Sequence, residues 1–119
     1  MKFTVLVVYA YHRFPMRRTT WDHLYCFDRS PLCRCVYVNL RYRDLGRVLR
    51  RIKFDLVIFD TTFAGQRWGR NQFRRITEKA ALLKELAVPK AVIPQDEFLN
   101  TDLLNRFIND FGIDAKLSS

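Results

Sequence analysis

The stretch Phe54-Asp55-Leu56-Val57-Ile58-Phe59-Asp60-Thr61-Thr62-Phe63 decides the fold. Its four consecutive apolar residues, Leu56 to Phe59, stand between Asp55 and Asp60. A run this short, made of branched and aromatic residues, suits a strand covered on both faces rather than one face of a helix. It stops at an acid and two hydroxyls, Asp60, Thr61 and Thr62, the polar tail expected where open parallel sheets meet ligands. Phe3 to Tyr9 is a second continuous run and reads as the first buried strand. With both strands central, the other elements should be parallel strands and covering helices.

Working outward, Pro15 stops any helix passing through residues 11–15. Thr19-Thr20-Trp21-Asp22 reads as a helix start with Thr19 as cap, and Ser30-Pro31 as that helix's end. Cys35 to Val38 is a third strand, closed by Asn39. Arg43 to Arg51 is predicted as an amphipathic helix through Leu45, Val48, Leu49 and Ile52, with Gly46 costing about 1 kcal/mol relative to Ala. Gly65 to Gly69 is a loop, and a long helix is expected over 71–86, with Phe73, Ile76, Ala80, Leu83 and Ala87 as its inner stripe. Ala91 to Ile93 is a short strand halted by Pro94. A helix starts at Asn100-Thr101-Asp102, turns Leu103, Leu104, Phe107, Ile108 and Phe111 inward, and stops at Gly112. Asp114 to Leu117 reads as the entry to one more strand.

Strands and helices thus alternate, with connections long enough for helical crossovers. The expected fold is one domain over 1–119: a three-layer α/β sheet of four to five parallel strands, Rossmann-like or flavodoxin-like, with helices on both faces and right-handed connections. The expected strand order is second, first, third, fourth, which sets Phe3–Tyr9 beside Leu56–Phe59 at the switch point. A chain that stops as a strand begins reads as the front part of something larger.

Composition narrows the function classes. The 119 residues are 49% apolar and 14% aromatic, with ten Phe, which excludes a disordered chain. Twenty-one basic against twelve acidic side chains give +9, a balance that favours anionic partners or serves as a solubilising surface. Cys26, Cys33 and Cys35 form no even disulfide set, and with His12 and His23 they match no common zinc spacing. No metal is expected, and reduced thiols point to a cytoplasmic protein. The apolar run at the start is short and meets Tyr11-His12-Arg13 where a leader's cleavage site would stand.

In such a sheet the strand ends share one edge. His12 and Arg13 follow the first strand, Asn39 the second, Asp60, Thr61 and Thr62 the third, and Gln95, Asp96 and Glu97 the fourth. These are the candidate ligand-binding residues. Gln95-Asp96-Glu97 either accepts hydrogen bonds from sugar hydroxyls, with one carboxylate as a general base, or simply places acids at a helix N-terminus. Asp60 is either a second carboxylate of the cleft or a turn acid holding backbone amides. His12 is an anion ligand, a proton relay or a plain loop residue. No dinucleotide fingerprint, phosphate loop or nucleophile elbow is present, so no cofactor is expected. Asp60 lies where a response-regulator receiver carries its phosphorylated aspartate, but the acidic pair such a receiver needs after the first strand is missing. Basic residues cluster in 41–53 and 67–75. The second cluster mixes arginines with Trp68 and Phe73, as nucleic-acid surfaces do, but its helical placement favours a solvated face over nucleic-acid binding. The arginines also offer peripheral contact with an anionic membrane.

The segments Thr20–Phe27, Phe54–Phe63 and Ile93-Pro94-Gln95-Asp96-Glu97-Phe98 resemble the N-terminal region of bacterial glycosyltransferases of the two-domain GT-B type. The likeness covers nearly the whole chain, and Pro94–Phe98 is its most distinctive part. It implies a Rossmann-like, acceptor-side domain facing a C-terminal donor-binding domain that holds the nucleotide-sugar, with a sugar or other hydroxylated acceptor between them. By that likeness Gln95, Asp96, Glu97, Asp60 and Thr61 line the cleft. Two features depart from the family pattern. Ala10-Tyr11-His12 stands in place of a Gly-rich loop. The paired Glu motif that grips the donor is absent, since six residues separate Glu78 and Glu85. The resemblance therefore implies a domain inactive in isolation. The alternative is a non-catalytic flavodoxin-like module that binds an anionic ligand or a partner protein.

Overall fold

Val5 to Val8 pair residue for residue with Leu56 to Phe59, so the two most apolar runs of the chain lie side by side and parallel. This is the centre of the sheet in a computed structural model that describes residues 3–11, 30–64, 66, 69–94 and 100–117. The strands are β1 (Phe3–Tyr9), β2 (Cys33–Asn39), β3 (Leu56–Phe59), β4 (Lys90–Val92) and β5 (Ala115–Lys116). They form one five-stranded sheet in the order β2-β1-β3-β4-β5, every neighbouring pair parallel. The predicted order holds, and the fold is a Rossmann-like α/β arrangement. The described helices are α1 (Gly46–Arg51), α2 (Thr61–Ala64), α3 (Arg70–Lys79), a 3-10 turn over Ala81–Glu85, and α4 (Thr101–Phe111).

Strand alternation divides the core between the two faces of the sheet. Leu6, Val8, Val57, Phe59 and Val92 point to the side where α2, α3 and α4 pack. There Phe59, Phe63, Phe73, Phe107 and Phe111 form one aromatic cluster. Phe107 sits at its centre, with ring centroids 5.0 Å from Phe59, 5.3 Å from Phe63, 6.0 Å from Phe73 and 4.7 Å from Phe111. Val5, Val7, Ile58 and Ile93 are buried on the opposite face. The helix predicted after Thr19 lies outside the described residues.

Several boundaries differ from expectation for local reasons. The first described helix begins at Gly46 rather than Arg43, because the Asn39 carbonyl accepts from Tyr42 N (3.1 Å) and Arg43 N (3.0 Å) and bends the chain into a turn. Gly46 therefore opens the helix instead of weakening its middle. The long helix over 71–86 stops at Lys79. Ala80 N is shared between the carbonyls of Ile76 and Thr77, both at 3.1 Å, and the chain tightens into the 3-10 turn. That change of pitch keeps Leu83 fully buried but turns Ala87 outward, so Ala87 is not part of the inner stripe. Strand β4 spans Lys90–Val92 rather than 91–93, with Lys90 N donating to the Asp114 carboxylate (2.9 Å). Gly112 adopts φ +63° at the end of α4, the left-handed stop that a glycine tolerates best.

Candidate functional site

The carboxyl ends of β1, β2 and β3 meet on one edge, and the strand order reverses between β1 and β3. Open α/β sheets take their ligands at such a reversal. The side chains at this edge are tied to backbone. Asn39, at the last position of β2, is buried; its Oδ1 accepts from Tyr11 N and Arg41 N, both at 3.1 Å, and its Nδ2 donates to Tyr11 O at 2.7 Å. It clamps the chain leaving β1 to the chain leaving β2.

Asp60 directly follows β3, with only 1% of its surface exposed. Its Oδ2 accepts from Thr62 N (3.1 Å) and from the Thr62 hydroxyl (3.0 Å). Its carbonyl accepts from Phe63 N (3.0 Å) and Ala64 N (3.1 Å), which makes Asp60 the start of the helical turn α2. The sequence pattern did not indicate a helix over 61–64, whereas the turn-acid reading of Asp60 agrees with its bond from Thr62 N. Thr62 Oγ1 in turn accepts from Ala10 N at 3.2 Å. Gln66 Nε2 donates to Ala10 O (3.2 Å) and Thr62 O (3.0 Å), and Gln72 Nε2 donates to Gln66 Oε1. A continuous set of hydrogen bonds thus runs from the end of β1 through α2 to the first turns of α3. Thr61 is buried beside it.

Of the residues singled out by sequence, Asn39, Asp60, Thr61 and Thr62 are therefore brought together, and the first, second and fourth of these hold backbone in place. His12, Arg13, Gln95, Asp96 and Glu97 lie outside the described residues. Among the described residues no group of three His, Cys, Asp or Glu side chains is placed to hold a metal. Nor is any helix among them long and apolar enough to cross a membrane.

Among the described residues, two concavities stand beside this edge and the helical layer. The smaller, about 230 Å³, is lined by Arg41, Gln66, Gln72, Arg75, Ile76 and Lys79. Lys79 Nζ donates to Leu40 O at 2.9 Å, which roots the hollow at the end of β2. The larger, about 450 Å³, lies between α3, the 3-10 turn and α4. Phe73, Leu103, Phe107 and Phe111 contribute apolar surface to it, while its charged residues are mixed: Arg74, Lys84 and Arg106 with Glu78 and Asp110. At one end Arg70 grips Asp102 in a two-pronged ion pair, with N–O distances of 3.0 and 3.2 Å. The hydrogen bond from the Arg70 guanidinium holds the Asp102 carboxyl below its ordinary value.

The sequence marked Arg75 as part of a basic, solvated helix face, and it is exposed. What it did not show is that Arg41, from a turn more than thirty residues away, shares a hollow with Arg75 and Lys79. The spacing of Gln72, Arg75 and Lys79 on one helical stripe was the available signal. Comparison of the chain with protein-family models, curated proteins and solved structures finds no match to any of them.

Proposed function

We propose that this domain is the acceptor-side half of a two-domain glycosyltransferase, with the carboxyl edge of its sheet forming one wall of the ligand cleft. The observation that carries the reading is the parallel order β2-β1-β3-β4-β5, reversing between β1 and β3. A Rossmann-like domain is what the resemblance of Thr20–Phe27, Phe54–Phe63 and Ile93–Phe98 to such enzymes implies. The internal bonding of Asn39, Asp60 and Thr62 supports a division of labour. These residues fix the floor of the edge, and contact with the acceptor falls to Gln95, Asp96 and Glu97, with Asp96 as the first carboxylate to test.

A nucleotide-sugar transfer assay tests this reading on the 119-residue chain and on the full product of its reading frame. Turnover is expected only where a second α/β domain of roughly 100–200 residues supplies the donor site. Asp96→Ala should lower it at least tenfold, on the scale of a lost general base, with the fold intact by circular dichroism. Turnover by the 119-residue chain alone, or unchanged turnover in Asp96→Ala, refutes the assignment.

A further inference from the structure

The small hollow beside the β1–β2 end of the edge differs in kind from the larger groove: its charge has one sign. Gln72, Arg75, Ile76 and Lys79 stand at positions i, i+3, i+4 and i+7 of α3 and therefore share one stripe. Arg41, in the turn after β2, faces the same space. Three cations line the hollow, and among the described residues no carboxylate does. Arg75 and Lys79, four residues apart on a helix, repel each other, and like charges at that spacing are destabilising when nothing compensates them. Local choices that work against the fold in this way concentrate at binding sites.

We propose that this hollow binds a phosphoryl oxyanion. Its donors are available. Among the described residues, the guanidinium groups of Arg41 and Arg75 make no hydrogen bond or ion pair, and Lys79 uses one of its three N–H groups on Leu40 O. Gln66 spends both amide hydrogens on Ala10 O and Thr62 O, and its Oε1 orients Gln72, whose amide keeps one N–H. The fork of an arginine matches two oxygens of a phosphoryl group, and three positive charges suit a dianion better than a single carboxylate. The 230 Å³ of space is below the roughly 300–1,000 Å³ of sites that enclose a whole small molecule. It fits one charged group, with the rest of the ligand outside. The larger groove carries acids among its cations and offers an anion no comparable preference. The site stands on these residues alone and does not require a transferase reaction.

The test is a titration of the isotope-labelled 119-residue chain with inorganic phosphate at low ionic strength, followed by NMR at the Gln72 side-chain amide and the arginine Nε–H groups. The expected result is a saturable shift that Arg75→Gln and Lys79→Gln each weaken about tenfold, the size of one lost charge-assisted bond. Arg106→Gln, which removes the same charge from α4, should leave it unchanged. Arg75→Gln is the decisive variant, since Lys79→Gln also breaks the bond to Leu40 O. A second arm uses phosphatidic acid vesicles, with phosphatidylcholine vesicles as control. Vesicle binding displaced by inorganic phosphate assigns the group to a lipid headgroup, and phosphate binding without vesicle binding assigns it to a soluble ligand. No saturable shift up to about 20 mM phosphate, well above a millimolar dissociation constant, overturns the proposal. So does an Arg75→Gln affinity equal to that of Arg106→Gln.

Discussion

Replacing Thr62 by Val probes whether the edge is held as the hydrogen bonds imply. The swap keeps the shape but deletes the hydroxyl, which donates to Asp60 Oδ2 at 3.0 Å and accepts from Ala10 N at 3.2 Å. Ala10 is 1% exposed, so its N–H loses its partner away from water, at a cost of about 1–3 kcal/mol. The Asp60 carboxylate, equally buried, loses one of its two donors from Thr62 and keeps the backbone one, a further loss of about 1–2 kcal/mol. Thr62 is itself only half-buried, which lets water recover part of this, and about 2–4 kcal/mol is expected. A domain of this size has roughly 6–18 kcal/mol in total, so the variant should fold but with a clearly lower urea midpoint. With a slope of about 1–3 kcal/mol/M, the shift is on the order of 1–2 M. Thr62→Ser retains the hydroxyl and should lose only about 1 kcal/mol, the worth of a methyl group. Amide exchange at Ala10 should speed up in Thr62→Val and not in Thr62→Ser. If the two variants unfold within about 0.5 kcal/mol of each other, the margin for an ordinary surface change, the hydroxyl is not holding the edge.

Two further outcomes follow from the helical layer. Phe107→Ala empties the centre of the five-ring cluster and should cost about 3–5 kcal/mol in urea unfolding, with Phe107→Leu markedly milder; equal costs for the two would deny the packing role. Asp102, whose carboxyl Arg70 holds below its ordinary value of 3.8, favours the folded state above that value and loses this contribution as pH falls through the lowered one. Arg70→Gln should therefore return the Asp102 titration, read by NMR, toward 3.8; an unmoved titration would show that the ion pair does not form in solution.

The central strands were legible because Val5–Val8 and Leu56–Phe59 are apolar at every position, short and rich in branched residues, a pattern that suits a strand covered on both faces. Gly112 was legible because a left-handed stop has few candidates. The break at Ala80 was not, since Ala80, Ala81, Leu82, Leu83 and Lys84 are all good helix formers and the change of pitch depends on Leu83 finding the core. At the site, the turn-acid reading of Asp60 could be written from Asp60-Thr61-Thr62 alone. The Asn39 clamp on Tyr11 could not, because it joins residues 28 apart in sequence that only the sheet register brings together. The basic hollow was half legible for the same reason: α3 lays out Gln72, Arg75 and Lys79 locally, whereas Arg41 arrives by tertiary folding.

The Asn39 clamp also bears on how this edge could evolve. It fixes the second residue after β1 and the second after β2 to one another through three hydrogen bonds with backbone at residues 11 and 41. The ordering of this backbone, of order 1–2 kcal/mol per residue, is met when the domain folds and does not count against a ligand's affinity. On the proposed reading of this edge as a ligand wall, sequence change beyond those anchor points alters recognition without reopening the frame that presents it. Selection can vary specificity here with little risk to foldability, so long as position 39 keeps a side chain that both donates and accepts.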